Sequence, residues 1–392
     1  MSWLLLGIPL ASARGASLNK FGIGCYADTA GSPAIGAQLD AAASLAGEQG
    51  WVVVYLCSWR DGARSCMNTS TVRDPASEST LRSAYARGLR VVARIGYPYV
   101  VRDHADDAGG GSSSPRVNYT SLAAAYARVV GHLPPPPDGA PLYVHVGNEF
   151  NACNEWRCAA PPRGASASSL QNMSGTFMAR EVAAFSRDVA VALSPLRRDG
   201  GGASDWAPGQ LQLAHGPVAD WQTSPCRCGD GAPLGGAGQS GLNFLREMAR
   251  IDPQLYGQEH VDWLSSHSYP FSMAPWADAD GKALRGLMYY RNETAAVGRE
   301  LPVILTETGW RRRVGTISNA QQANWTALAF EKVWLPDDAV IGVAPFLLAG
   351  QFWEPQGWPW ANFTASGTFV PRAVFTAIKQ LRCRVIGGTG CA

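Results

Sequence analysis

Strand-like and helix-like segments alternate eight times along this chain, and that alternation limits the folds open to it. The apolar, β-branched runs are Phe21–Tyr26, Trp51–Trp59, Leu89–Pro98, Pro141–Phe150, Leu211–His215, Val261–Pro270, Pro302–Trp310 and Val340–Leu348. Helical spacing falls between them at Ala34–Gln49, Ser77–Arg87, Tyr119–His132, Gly175–Leu193, Leu242–Ile251, Ala283–Val297, Asn319–Val333 and Pro371–Leu381. No strand carries the polar marks of an edge, and no Gly-x-Gly-x-x-Gly follows the first one. The pattern therefore predicts an α/β fold, a closed (β/α)₈ TIM barrel, over an open doubly wound sheet. With 392 residues the chain has room for one barrel with long βα loops. Residues 1–17 read as a leader, because an apolar run from Trp3 ends in small residues near Ala13. Residues 18–392 read as a single domain.

In such a barrel the chemistry sits at the C-terminal ends of the strands. Two of those ends stand out. The fourth strand runs Leu142-Tyr143-Val144-His145-Val146 into Gly147-Asn148-Glu149. The seventh runs Val303-Ile304-Leu305-Thr306 into Glu307-Thr308-Gly309-Trp310. A carboxylate at the exit of a buried strand is costly unless hydrogen-bonded or used. Strands four and seven lie nearly opposite across an eight-stranded barrel, so Glu149 and Glu307 should converge over its mouth. Paired carboxylates are the tools of glycoside hydrolysis, one donating a proton and the other attacking or activating water. Glu155, in a second Asn-Glu pair, is a rival to Glu149. His267 and Tyr269 fall at the end of strand six, and Trp353, Trp358 and Trp360 in the loop after strand eight. Arg94 interrupts an apolar strand and must be paired if buried.

Val146-Gly147-Asn148-Glu149 and Leu305-Thr306-Glu307-Thr308-Gly309-Trp310 resemble the acid/base and nucleophile strands of clan A glycoside hydrolases, retaining enzymes on (β/α)₈ barrels. The local wording is nearest to family 17, the β-1,3-glucanases, whose first and sixth strands Phe21–Tyr26 and Ser268-Tyr269-Pro270-Phe271 also resemble. Arg311 follows Trp310 where that family usually has proline, and families 5, 39 and 53 stay open. The resemblance implies that Glu149 is the acid/base and Glu307 the nucleophile. It implies that Asn148 binds the sugar 2-hydroxyl, that Tyr269 holds Glu307, and that His267 lines the same subsite. Trp353 is expected as a sugar platform, and Arg94 as a group orienting one carboxylate. The same residues would serve a transglycosylase, and a barrel that binds carbohydrate without cleaving it is the rival from another class.

The remaining features bear on partners and compartment. Net charge is +2, from 33 basic and 31 acidic residues, with no basic run that could track a nucleic-acid backbone. Arg311, Arg312 and Arg313 form a short cluster that could hold an anion. The six histidines show no metal-site spacing, so neither a metal nor a cofactor is expected. The expected partner is an oligo- or polysaccharide, taken by a monomer, and no segment of transmembrane length follows the leader. Six Asn-x-Ser/Thr triplets, at Asn68, Asn118, Asn172, Asn292, Asn324 and Asn362, point to a secreted or endomembrane-lumen glycoprotein. Among nine cysteines, Cys57/Cys66, Cys153/Cys158 and Cys383/Cys391 are close enough to pair. Cys226 and Cys228 should pair outward, and Cys25, inside a strand, should stay free.

Overall fold

Valine- and isoleucine-rich runs form strands because their branched side chains suit a pleated, buried surface. β1 (Gly22–Cys25), β2 (Trp51–Leu56), β3 (Arg90–Ile95), β4 (Leu142–Val146) and β5 (Leu211–His215) pair in parallel, each with the next. β6 (Leu264–Ser268), β7 (Val303–Thr308) and β8 (Val340–Val343) form a second parallel set. A bridge between Phe21 and Val343 joins β8 to β1. Hydrogen bonds from Val343 N to Lys20 O (2.9 Å) and from Gly24 N to Pro345 O (3.0 Å) extend that seam. At the other seam Asp262 staples β5: its N–H donates to Leu213 O at 2.8 Å. Its Oδ2 in turn accepts from Leu213 N at 2.8 Å. The two sets thus close into a (β/α)₈ barrel. The computed structural model describes residues 18–26, 34–56, 75–95, 119–152, 167–201, 205–219, 225–227, 233–237, 241–270, 274–275, 282–313, 316–350, 354–364, 366–388 and 390–391.

The helices α1 (Ile35–Ala46), α2 (Pro75–Tyr85), α3 (Thr120–His132), α4 (Ala167–Arg198), α5 (Gly241–Ile251), α6 (Lys282–Leu287), α7 (Tyr289–Val297), α8 (Asn319–Ala329) and α9 (Ala373–Val385) surround the strands. Three differ from the sequence reading. α4 extends beyond the expected span at both ends, with Pro195 inside its last turns. The helix expected over Ala283–Val297 breaks at Met288 into α6 and α7, where Tyr290 N donates to Ser268 Oγ at 3.1 Å. α8 runs on through a wide turn, Phe330–Trp334. Two antiparallel hairpins were not foreseen, Pro225–Arg227 with Pro233–Ala237 and Ala361–Phe363 with Phe369–Pro371.

The barrel interior is filled by Trp51, Val53, Val92, Ala214, Trp263, Ile304 and Ala344. Trp51 leaves no space beside it: a Cβ on Gly22 would stand 2.6 Å from the Trp51 Cβ. A packed floor of this kind confines polar side chains to the C-terminal rim. Cys383 and Cys391 are joined in a disulfide, with Cα atoms 5.3 Å apart, and Cys25 is a buried free thiol, as the sequence suggested. Cys57, Cys66, Cys153, Cys158 and Cys228, and the side chain of Cys226, lie outside the described residues. Asn292, Asn324 and Asn362 are exposed, while Asn68, Asn118 and the Asn172 side chain lie outside the described residues. No helix among the described residues is long and apolar enough to cross a membrane.

Candidate active site

Glu149 leaves β4 through a tight turn. Gly147 takes φ +82°, and a Cβ there would meet Phe150 Cζ at 2.0 Å, so only glycine fits. Glu149 itself holds φ +34°, a left-handed conformation that non-glycine residues rarely adopt. His145 braces the turn from inside the barrel, with Nδ1 3.2 Å from the Gly147 carbonyl, a contact that requires the Nδ1–H tautomer. Burial, with Arg94 and His267 nearby, holds the His145 imidazole well below its ordinary range and keeps it neutral. Asn151 pins the far side: its Nδ2 donates to Ala219 O at 2.8 Å. Its Oδ1 accepts from Ala219 N at 2.7 Å.

Glu307 is aimed by a bulge. β6 pairs Ser266 with Leu305 and then His267 with Glu307, so Thr306 is an extra residue in β7. The extra residue turns Glu307 toward the side on which His267 stands. Thr306 Oγ1 and Ser265 Oγ, 2.7 Å apart, fix the bulge beneath it.

Three donors meet on Glu307. Arg94 Nη1 lies 3.0 Å from Oε1, Tyr55 Oη donates to Oε1 at 3.2 Å, and Tyr269 Oη donates to Oε2 at 2.8 Å. Arg94 and Glu307 are each 8% exposed, so the ion pair is buried and its hydrogen bonds are needed to offset desolvation. The Arg94 guanidinium also stands over the Tyr55 ring at 4.7 Å. Burial and the Glu307 charge push both tyrosine hydroxyls well above their ordinary range, so they remain donors. His267, 1% exposed, sits between the carboxylates, with Nδ1 2.9 Å from Glu149 Oε1 and 3.7 Å from Glu307 Oε2.

The structure thus brings together Glu149, Glu307, His267, Tyr269 and Arg94, on or just beyond β3, β4, β6 and β7. Asn148 joins them beside Glu149, buried, with Oδ1 lacking a partner among the described residues. His267 Nε2 is likewise buried and unpartnered. Buried polar atoms left open in this way are donors and acceptors for a ligand. Trp353 and Glu155 lie outside the described residues. Of the described tryptophans in the loop after β8, Trp358 stands against the site, its ring 5.4 Å from Tyr269 and 5.8 Å from Phe346. Trp360 is 1% exposed and belongs to the core. Sequence reasoning missed Tyr55, although strict alternation with Trp51 and Val53 points it into the barrel. It also missed the braces His145 and Asn151.

Glu149, His267 and Glu307 each offer an atom within 4.8 Å of the others, a donor set that a metal ion could use. Arg94 fits that use poorly. Its guanidinium already sits on Glu307, and a second cation there would be repelled.

Comparison with solved structures agrees on the architecture. A family 39 glycoside hydrolase from Bacteroides cellulosilyticus matches with a TM-score of 0.52 at 12% identity, over 95% of this chain and 64% of that one. This chain therefore spans less than two-thirds of that protein's length. A β-glycosidase matches with a TM-score of 0.52 at 10% identity, over 95% of this chain and 98% of its own. An endo-β-1,4-glucanase from Xanthomonas axonopodis matches with a TM-score of 0.51 at 11% identity, over 94% of this chain and 100% of its own. At such identities the likeness is one of fold, the (β/α)₈ barrel. No protein-family model matches the chain, and no curated protein matches its sequence.

Proposed function

We propose that this chain is a retaining glycoside hydrolase of clan A type that cleaves a β-linked glycan, with Glu149 as acid/base and Glu307 as nucleophile. The convergence of the two glutamates carries the reading: a carboxylate oxygen of one lies within 4.8 Å of one of the other. Inverting enzymes hold their carboxyl groups roughly 6.5–9.5 Å apart, with room for water between; retaining ones hold them about 5–5.5 Å apart. The short gap supports direct attack by Glu307.

In the first step the Glu149 carboxylic acid passes its proton to the glycosidic oxygen. A Glu307 oxygen bonds to the anomeric carbon, and the carbon–oxygen bond to the leaving sugar breaks. In the second step the Glu149 carboxylate takes a proton from water. That water's oxygen bonds to the anomeric carbon, and the glycosyl ester to Glu307 breaks. Arg94, Tyr55 and Tyr269 hold Glu307 in one orientation, which lowers the entropic cost of attack. Asn148 Oδ1 and His267 Nε2 are open to sugar hydroxyls. Trp358, beside Tyr269, offers a ring face for a sugar.

β-Glucan is the first substrate to try, since the local motifs resemble family 17 and one structural neighbour is named an endo-β-1,4-glucanase. The six glycosylation triplets and the Cys383–Cys391 disulfide favour a secretory route for a monomeric enzyme. The test is a panel of β-glucans, β-mannans and aryl β-glycosides offered to the intact protein, Glu149→Ala and Glu307→Ala. Cleavage by the intact protein alone, with azide restoring Glu307→Ala to give an inverted glycosyl azide, is the expected result. Equal glycan binding by all three proteins with no cleavage by any would make the barrel a binding module.

A further inference from the structure

The groove beside the candidate site is positively charged, and nothing in the cleavage chemistry uses it. It measures about 1010 Å³ and lies between the loop after β7 and the loop after β8. Arg311, Arg312 and Arg313 line one wall, with the start of α8 behind them; Glu354 and Gly357 line the other. The two walls are tied together: Arg312 N donates to Gly357 O at 2.9 Å, and a Cβ on Gly357 would stand 2.1 Å from Arg312 O.

The charges do not cancel. Among the described lining residues Glu354 is the one carboxylate, and it is shared between Arg312, at 3.5 Å, and Arg372. Arg311 and Arg313 make no side-chain hydrogen bond or ion pair with any described residue, and Arg312 Nε is buried without a partner among them. The positive end of α8, capped by Ser318 and Gln321, opens on the same space. Three guanidinium groups around one groove, two of them unengaged, are a site for oxoanions, which such planar forks bind through paired N–H donors.

Two lining residues of the groove are chain neighbours of residues at or next to the candidate site. Arg311 follows directly on Trp310, the residue after the Glu307-Thr308-Gly309 exit. Gly357 precedes Trp358, whose ring meets Tyr269, and Tyr269 holds Glu307. Trp358 thus stands between Tyr269 and the groove wall that Gly357 begins.

We propose that this groove is a subsite for an anionic substituent, a sulfate ester or a carboxylate, on the glycan, so that the substrate is an acidic β-glycan. The proposal rests on the glycan-cleft reading above and names the chemistry of one end of that cleft. Arg311, Arg312 and Arg313 give the groove its charge.

The experiment measures affinity for three β-glucan oligosaccharide preparations of equal length, neutral, sulfated and carboxymethylated. It uses Glu307→Gln protein so that nothing is consumed. At about 50 mM salt, where screening is weak, the protein should bind at least one anionic form about tenfold or more tighter than the neutral form. Arg311→Gln/Arg313→Gln, added to that background, should collapse the ratio to near one. Arg311→Lys/Arg313→Lys should restore part of it. Removal of two exposed arginines elsewhere, Arg246→Gln/Arg250→Gln, should leave the ratio as it was. Thermal melts check that each variant is folded. Equal affinity for charged and neutral forms, a ratio that survives loss of both arginines, or no binding of any form would overturn the proposal. The outcomes separate the two readings. Cleavage of neutral glycan by the intact protein, with no charge preference in binding, leaves the hydrolase standing without the anionic subsite. Arginine-dependent binding without cleavage of any glycan leaves the subsite without the hydrolase.

Discussion

Tyr269 donates to Glu307 at 2.8 Å, from the end of β6 to the end of β7. The bulge at Thr306 makes this contact possible, because without the extra residue Glu307 would face the helices. The nucleophile proposed here is thus aimed by backbone geometry and then held by side chains.

Loss of that hydroxyl should act on the chemistry more than on binding. Tyr269→Phe is expected to lower kcat by about tenfold to a hundredfold with little change in KM, since one hydrogen bond to a charged group is worth roughly 1.5–3 kcal/mol. Tyr55→Phe, whose hydroxyl is at 3.2 Å and shares Oε1 with Arg94, should cost less. Steady-state kinetics on an aryl β-glycoside checks both. A larger loss in Tyr55→Phe would reverse the assigned importance of the two donors.

Trp358 should separate binding from chemistry in the other direction. Its ring is half-buried against Tyr269 and Phe346, and its open face is the sugar platform in this account. Trp358→Ala is expected to raise KM for an oligosaccharide by about tenfold, from loss of one aromatic stacking surface. It should change kcat far less. An unchanged KM would remove Trp358 from the binding surface.

The turn that carries Glu149 is predicted to tolerate no side chain at Gly147. An added Cβ would sit 2.0 Å from the Phe150 ring, at φ +82°. Gly147→Ala should destabilise by about 3 kcal/mol or more, through overpacking plus backbone strain. Gly139→Ala is the control: φ is +70° there, but nothing lies within 4 Å, so its cost should stay near 1 kcal/mol. Chemical denaturation of both variants checks the difference.

Stability should fall as pH drops from 6.5 toward 4. Burial pushes the His215 imidazole from 6.5 down to about 4, so in that window the unfolded chain binds a proton the folded chain refuses. Stability therefore rises with pH across the window and is fully regained above 6.5. At about 1.4 kcal/mol per pH unit, the effect of this one group amounts to roughly 3 kcal/mol. His145 acts in the same direction. His215→Gln should flatten the pH profile without abolishing it, as read from denaturation midpoints between pH 4 and pH 7. An unchanged slope would mean that the buried imidazole is protonated with ease.

The glutamates were legible because each ends an apolar strand, where an unused carboxylate would be costly. Arg94 was legible for the same reason, as a charge inside Arg90-Val91-Val92-Ala93-Arg94-Ile95. Its partner was not, because β3 and β7 lie far apart in sequence and meet only across the barrel. Tyr55 could have been read from alternation along β2. The bulge at Thr306 could not, since a bulge depends on pairing with β6 and leaves no mark in composition. Among the loop tryptophans nothing in the sequence separates Trp358 from Trp360. Packing does so, with Trp360 in the core and Trp358 against Tyr269. Boundaries moved where side chains intervened, as at Asp262, which staples the barrel seam instead of extending β6.

The most direct test of the central claim is to trap the covalent intermediate. A 2-deoxy-2-fluoro-β-glycoside of the preferred sugar, with a good leaving group, slows both steps and lets the glycosyl ester accumulate. Digestion and mass spectrometry should then find one fluoroglycosyl group, on the peptide that carries Glu307. Attachment to any other residue, or turnover to product of inverted configuration with no adduct, would contradict the account.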